Sequence, residues 1–198
     1  MMGKTHLGIG IAASLAVVHP QTKEECLVAI MGGALGGVLA DIDILDNDYE
    51  SDALIGQLLA VLISAAALLA DHFWHFGILE YVMLHKMKSI IGGLLFCVLW
   101  VCGAASDHRK FTHSLSAMCI YSAAVALIYP PVFQAYIVGY FSHLVLDLLN
   151  KKKIQLLYPL KWGMCLNMCY AGKTANKVLM FAGFGASAVM LLERLVSL

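Results

Sequence analysis

Apolar residues run almost unbroken through 7–18, 26–40, 53–70, 89–105, 113–129, 134–149 and 176–192, with short polar interruptions between them. Each run predicts a helix, and the longer ones approach the roughly 20 residues needed to cross a bilayer. Runs 7–18, 26–40 and 134–149 are shorter and rich in Gly and Ala, as in Ile30-Met31-Gly32-Gly33-Ala34-Leu35-Gly36-Gly37. Small residues let helix backbones approach closely inside membrane bundles, so these three are predicted to pack together in the interior. Between 71 and 88 the pattern turns amphipathic, with Asp71, His72, Trp74, His75, Glu80, His85, Lys86 and Lys88 set among Phe, Leu and Met. That stretch predicts an interfacial helix along the membrane surface, with Trp74 and Tyr81 at headgroup level. Pro130-Pro131 breaks a helix pair, and residues 150–175 read as a polar, Lys-rich loop. The fold class is therefore all-α: a polytopic membrane bundle of about 6–7 helices, with residues 1–198 forming one domain.

Composition narrows the class further. The 198 residues are 61% apolar and only 13% charged, and the mean hydropathy is +0.80. Soluble domains carry about 25% charge, so an ordinary cytosolic domain and a disordered tail are excluded. Lys+Arg and Asp+Glu balance at 13 each, which gives no electrostatic case for a nucleic-acid partner. The six cysteines fall mostly within apolar runs and read as small buried hydrophobes. The N-terminal stretch lacks a small-residue cleavage site before Lys23-Glu24-Glu25 and is expected to stay in the mature chain.

In such a chain the few ionisable residues are informative, because they are costly within spans and usually functional. They form four groups: His6; Asp41 and Asp43; His108 and His113; His143 and Asp147. His143 and Asp147 are spaced i, i+4 and so share one helix face. That spacing suits two ligands of one ion, and equally a hydrogen bond joining helices. Asp41 and Asp43 end an apolar helix at the unfavourable pole of its dipole, which argues for a nearby cation. The following loop fails the EF-hand pattern, with Ser51 where Gly is needed and Gln57 where the closing Glu belongs. His108 and His113 open the next helix. They are five apart and could meet one centre with His108 in the loop and His113 in the first turn of that helix. Arg109 and Lys110 beside them suit an anionic substrate, or serve as positively charged flanks.

Connectivity tests whether the groups can meet. With the runs crossing alternately and 71–88 lying flat, all four groups arrive at one end of the bundle. Lys4, Arg109, Lys110, Lys151, Lys152, Lys153, Lys161, Lys173 and Lys177 share that end, against Lys23, Lys86, Lys88 and Arg194 at the other. Nine cations against four place the His/Asp end at the cytoplasmic face. His72, His75 and His85 fall at the opposite end and outside the site.

Four segments together resemble the YdjM-like family of inner-membrane metal-dependent hydrolases. They are Gly3-Lys4-Thr5-His6; Leu39-Ala40-Asp41-Ile42-Asp43; His108-Arg109-Lys110-Phe111-Thr112-His113-Ser114-Leu115; and Gly139-Tyr140-Phe141-Ser142-His143-Leu144-Val145-Leu146-Asp147. The last continues into Ile154-Gln155-Leu156-Leu157-Tyr158-Pro159-Leu160-Lys161-Trp162, similar to the family's ending. The resemblance implies a metal ligand set of His6, Asp41, Asp43, His108, His113, His143 and Asp147. It also implies a distant link to the helical zinc phospholipase C and single-strand nuclease superfamily. The chain departs from the family in having Lys110 where Gly is usual. It also lacks a His after Asp-x-Asp, which leaves a ligand position to Asp46, Asp48 or water.

Seven ligands suit two divalent ions, with Zn foremost and Mn or Fe as alternatives. The expected activity is hydrolysis of a phosphoester, lipid-linked or phospholipid, by metal-activated water. Asp41, His113 and Arg109 are the expected catalytic residues, with Lys110 assisting. Thr112, Ser114 and Ser142 would orient ligands. A serine-nucleophile hydrolase lacks its elbow motif here, and a zincin lacks His-Glu-x-x-His. The rival classes are a metal-ion transporter or sensor, and a structural membrane protein whose His/Asp cluster only joins helices. Membrane lipid is the expected partner, with no nucleic acid.

Overall fold

A computed structural model describes residues 1–44, 50–170 and 173–197. Its helices are α1 (Gly3–Val18), α2 (Lys23–Leu39), α3 (Glu50–Trp74), α4 (Ile78–Leu84), α5 (Lys86–Ala104), α6 (Leu115–Ile128), α7 (Phe133–Leu148) and α8 (Thr174–Ser197). A 3₁₀ turn, Ala40–Asp43, extends α2, and another, Pro130–Val132, joins α6 to α7. Among the described residues the only extended pairing is two isolated bridges, Asn150 with Cys169 and Ile154 with Met164.

The seven apolar runs each become one helix, and the eighth, α4, comes from the amphipathic stretch. Residues 71–88 do not form the single surface helix their composition predicts. Helix α3 runs on to Trp74, and the chain then turns through His75 (φ 52°) and Gly77 (φ 102°) before α4. Asp71 makes that turn possible, because its two carboxylate oxygens accept from the backbone N–H groups of Ile78 (3.0 Å) and Leu79 (2.7 Å). The amphipathic pattern thus marks a capped corner.

The short Gly/Ala-rich helices form the interior, as their composition predicts. Helix α2 packs against both α7 and α1, and α1 also contacts α7 and α8. The seam depends on absent side chains. A Cβ on Gly10 would stand 2.5 Å from the Gly33 carbonyl oxygen, and one on Gly139 would stand 2.7 Å from the same oxygen. The long helices form the outside. In the apolar segment Lys23–Asp43, α2 with its 3₁₀ extension, 78% of the most apolar stretch is buried, against 22% in α3 and 17% each in α5 and α8. Leu58, Leu62, Ile91, Leu94, Val98 and Phe181 are all exposed. An outer layer of long, exposed apolar helices around an interior holding buried His and Asp is the arrangement of a membrane-spanning bundle.

The connectivity expected from sequence holds. The first turn of α1, the ends of α2, α5 and α7, and the start of α6 all meet at one end of the bundle. Lys4 on α1 pairs there with Asp52 near the start of α3 at 3.2 Å. Asn176 of α8 accepts hydrogen bonds from the Met2 backbone N–H (3.1 Å) and the Thr5 hydroxyl (3.0 Å).

Candidate metal centre

Each ligand candidate sits where a helix starts or stops. His6 closes the first turn of α1, and Asp41 and Asp43 lie in the 3₁₀ turn that ends α2. His143 and Asp147 occupy the last turns of α7, one turn apart on its inner face. His108 and His113 lie in the loop between α5 and α6, not on the helix itself, which begins at Leu115 with Ser114 as its cap. His6, His113 and His143 are fully buried, and Asp41, Asp43 and Asp147 nearly so.

The ring nitrogens can be assigned from what they touch. Nδ1–H of His143 donates to the Gly37 carbonyl at 2.8 Å, which leaves Nε2 as a lone pair. Nδ1–H of His108 donates to Asp43 Oδ1 at 2.7 Å. Nδ1 of His113 lies 3.1 Å from the Thr112 hydroxyl, which donates to Asp43 Oδ2, and 3.3 Å from that oxygen. A neutral, metal-binding His113 therefore keeps its proton on Nδ1, and Nε2 turns inward.

Inward, acceptor meets acceptor. His113 Nε2 lies 3.3 Å from His143 Nε2, 3.3 Å from Asp147 Oδ2 and 3.6 Å from Asp41 Oδ1. His143 Nε2 is also 3.6 Å from Asp41 Oδ1. Donor atoms bound tetrahedrally at about 2.0–2.1 Å would be about 3.3–3.4 Å apart, so these separations suit a shared divalent ion. His6 stacks on His143 with ring centroids 3.7 Å apart, and its Nε2 is 3.4 Å from Asp147 Oδ1. Neither ring nitrogen of His6 makes a hydrogen bond, nor does Asp41 Oδ2, although all three are buried. Buried polar atoms are rarely left so, and a cation would satisfy them. Burial opposes a charge on His113, but Asp147, Asp41 and Asp43 outweigh it and hold the imidazole well above its usual pKa. The position attracts positive charge.

Three overlapping triads have the geometry to hold an ion: His6, His143 and Asp147; Asp41, His113 and His143; Asp43, His108 and His113. Asp43, unlike Asp41, has both oxygens engaged by hydrogen bonds. It accepts from His108, from the Thr112 hydroxyl and from the Arg109 backbone N–H (3.0 Å), with His113 beside it. Arg109, in the left-handed region at φ 69°, brings Nη1 to 3.3 Å from Asp147 Oδ2, and the Met1 amino group contacts Asp147 Oδ1.

A model of the YdjM inner membrane protein family matches residues 1–196, nearly the whole chain. The chain belongs to that family. It is thus an integral inner-membrane protein by family and by its apolar outer helices. It is similar to Inner membrane protein YdjM of Escherichia coli (strain K12), 33% identical over 82 residues that span 38% of this chain and 42% of the relative. The protein of the same name from Shigella flexneri matches to the same extent. The alignment thus spans less than half the length of these curated relatives. No solved structure matches.

In this YdjM-family chain all seven ligand candidates converge, but other expected participants do not. Lys110 pairs with Asp107 on the exposed side of the loop. Ser114 donates to the Phe111 carbonyl and accepts from Ala117 N–H, and Ser142 donates to the Gly139 carbonyl, so both serve backbone rather than ligands. Thr112 alone of the three holds a ligand-orienting bond. Asp46 and Asp48 lie outside the described residues. Sequence reasoning missed Tyr140, whose hydroxyl donates to the Thr112 carbonyl at 2.6 Å, and the Gly37 carbonyl that orients His143. A lone Tyr in an apolar helix and a backbone oxygen give no motif to find.

Proposed function

We propose that this protein is a membrane-embedded metal-dependent hydrolase that cleaves a phosphoester in a lipid-linked or phospholipid substrate. The observation that supports it is the convergence on His113 Nε2, which lies 3.3–3.6 Å from acceptor atoms of His143, Asp147 and Asp41, with His143 Nε2 also 3.6 Å from Asp41 and His6 alongside. His6, His113, His143, Asp41 and Asp147 would hold the metal. Asp147 would hold metal between two of these imidazoles, with Oδ1 facing His6 and Oδ2 facing His113. Asp43, with its lone pairs taken, orients His113 and His108, as carboxylates commonly do behind metal-bound imidazoles. Once bound, divalent ions (Zn first, Mn or Fe otherwise) would polarise a phosphoryl oxygen and lower the pKa of water.

The chain's own groups supply the rest. Arg109 has a buried Nε without a partner, and a phosphoryl oxygen would take its free donors and place negative charge beside the guanidinium. Asp41 carries the one unpartnered carboxylate oxygen of the cluster, a fit acceptor for the proton of attacking water. The cation excess at this end supports a cytoplasmic site. A transporter would spread ligands along a path through the membrane, whereas these gather at one level.

Metal analysis by mass spectrometry on purified wild type, His143→Ala and Asp41→Ala tests the reading. About two equivalents of Zn, Mn or Fe in wild type, lost in both variants, would support it. A panel of phospholipids and soluble phosphoesters then tests turnover. No metal after reconstitution, or a loaded centre inert toward every ester, overturns the hydrolase assignment.

A further inference from the structure

Beyond Leu148 the chain folds back over the metal centre without forming a helix. Leu166 N–H donates to the Leu148 carbonyl at 2.6 Å, and Ile154 and Met164 exchange two backbone bonds of 2.9 Å. The same segment clamps the histidine-bearing loop. Gln155 N–H donates to the Arg109 carbonyl (3.0 Å), Leu115 N–H to the Leu156 carbonyl (2.9 Å), and Arg109 Nη1 to the Lys152 carbonyl (3.3 Å). Residues 150–170 are therefore a built cap on the site rather than a slack connection.

The outer side of this cap is not that of a loop bound for water. Leu157, Leu160, Trp162, Leu166, Met168 and Tyr170 are exposed, Trp162 by 66% and Met168 by 71%. Exposed Lys151, Lys152, Lys153 and Lys161 stand among them. Lys151 Nζ lies 4.0 Å and Lys173 Nζ 4.8 Å from the Tyr170 ring centroid. From Leu148 to Leu192 the chain has six Lys and no Asp or Glu. A bias of charge toward one membrane face accounts for lysines. It does not account for large apolar side chains turned outward on irregular backbone, or for the complete lack of acids. Aromatic and aliphatic groups interleaved with lysines suit the headgroup layer, where the rings sit among acyl carbons and the ammonium groups meet phosphates.

We infer that residues 150–170 form an interfacial cap that seats in the headgroup layer of the leaflet facing the metal centre and selects anionic phospholipid there. Polybasic segments near a membrane gain roughly fivefold in association with anionic lipid per lysine, so four lysines suffice for a clear preference even after screening. The inference rests on the cap's surface and holds whether or not the centre is hydrolytic.

The test uses the full chain with Trp74→Phe and Trp100→Phe, leaving Trp162 of the three tryptophans. It is reconstituted in phosphatidylcholine vesicles carrying brominated phosphatidylglycerol or brominated phosphatidylcholine, and Trp162 quenching is read. Quenching by both lipids is expected, with association at least about fivefold stronger for phosphatidylglycerol at low salt. Replacing Lys151, Lys152, Lys153 and Lys161 by Gln should bring the two lipids to parity. Metal content is measured on the same protein. Should the fourfold variant lose metal, Lys161→Gln alone replaces it, with a partial loss of preference expected. No quenching of Trp162, equal association of the two lipids, or a preference unchanged by the lysine substitutions overturns the inference.

Discussion

Gly37→Ala perturbs the centre without altering a ligand. A Cβ on Gly37 would lie 2.6 Å from the His6 backbone oxygen and 3.3 Å from Gly10 Cα. Ordinary contacts begin at 3.4 Å, so α1 and α2 must part by about 0.8 Å. The Gly37 carbonyl also orients His143 through its Nδ1–H, so one methyl group displaces two imidazoles that stack 3.7 Å apart. Overpacking of this kind costs about 1–3 kcal/mol, which a bundle with this much interior contact should survive. Misplacement of nearly 1 Å in a site costs on the order of 10²-fold in activity, and disturbed support of a ligand about 10–100-fold in metal affinity. Gly93→Ala is the matched control, because a Cβ there meets nothing within 4 Å. The assay is competition for Zn against a chelating indicator, with size-exclusion profiles after heating to follow folding. Gly37→Ala should remain folded with a lower midpoint and bind metal at least tenfold more weakly, while Gly93→Ala matches wild type. Metal affinity within twofold of wild type in Gly37→Ala, or an equal loss in Gly93→Ala, would refute the reasoning.

Other outcomes separate the roles of neighbouring residues. Asp43→Asn should keep the metal stoichiometry while lowering affinity about 10–100-fold, whereas Asp147→Asn should lose metal outright; equilibrium dialysis tells the two apart. Asp71→Ala removes the carboxylate that accepts from Ile78 and Leu79, costing about 1–2 kcal/mol of stability with metal content unchanged by elemental analysis. Tyr129→Phe removes the bond to Glu24 Oε1 (2.8 Å) at the far end of the bundle and should lower stability by about 1 kcal/mol, again with metal retained. Acidification should release the metal. The His ligands must be neutral and the Asp ligands ionised to bind, so protons compete as pH falls and the apparent affinity declines; a pH series of chelator titrations measures it.

The fold was legible because the chain separates two kinds of apolar run. Gly-rich segments such as 30–37 could only be interior, and the leucine-rich runs at 53–70 and 89–105 could only be the outside. The end at which the ionisable residues gather followed from counting crossings. The corner at His75 and Gly77 was not legible, since Asp71 reads as a surface charge until its carboxylate is seen on the backbone of Ile78 and Leu79. The division of labour within the site was equally hidden. Asp41 and Asp43 are two residues apart with identical chemistry, yet only Asp43 has its lone pairs filled, because Thr112, Arg109 and His108 come from a distant loop.

The cap, rather than helix length, links the interior to the proposed substrate. Helices α1, α2 and α7 have 16, 17 and 16 residues, hence about 24–26 Å at 1.5 Å per residue. A hydrocarbon core is about 30 Å thick. Helices α3 and α8, with 25 and 24 residues, reach about 36–38 Å and exceed it. At the metal end the two layers begin level, with Lys4 of α1 paired to Asp52 of α3 and Asn176 of α8 bonded to Met2 and Thr5, so the surplus length of α3 and α8 projects mainly at the opposite end. The ligands at the ends of α1, α2 and α7 are instead buried by the 105–114 loop and the basic cap, which close over them. Beneath a cap seated in the headgroup layer, as proposed, the centre would lie level with the ester region of a lipid rather than with free solution. Brought there through the leaflet, a phosphoester with an acyl tail keeps the tail in hydrocarbon while its phosphate meets Arg109. A soluble phosphoester has to shed its hydration without that compensation. Hydrolysis of lipid-linked substrates should accordingly exceed that of soluble analogues bearing the same headgroup, and comparable kcat/KM for the two would argue against substrate delivery through the leaflet.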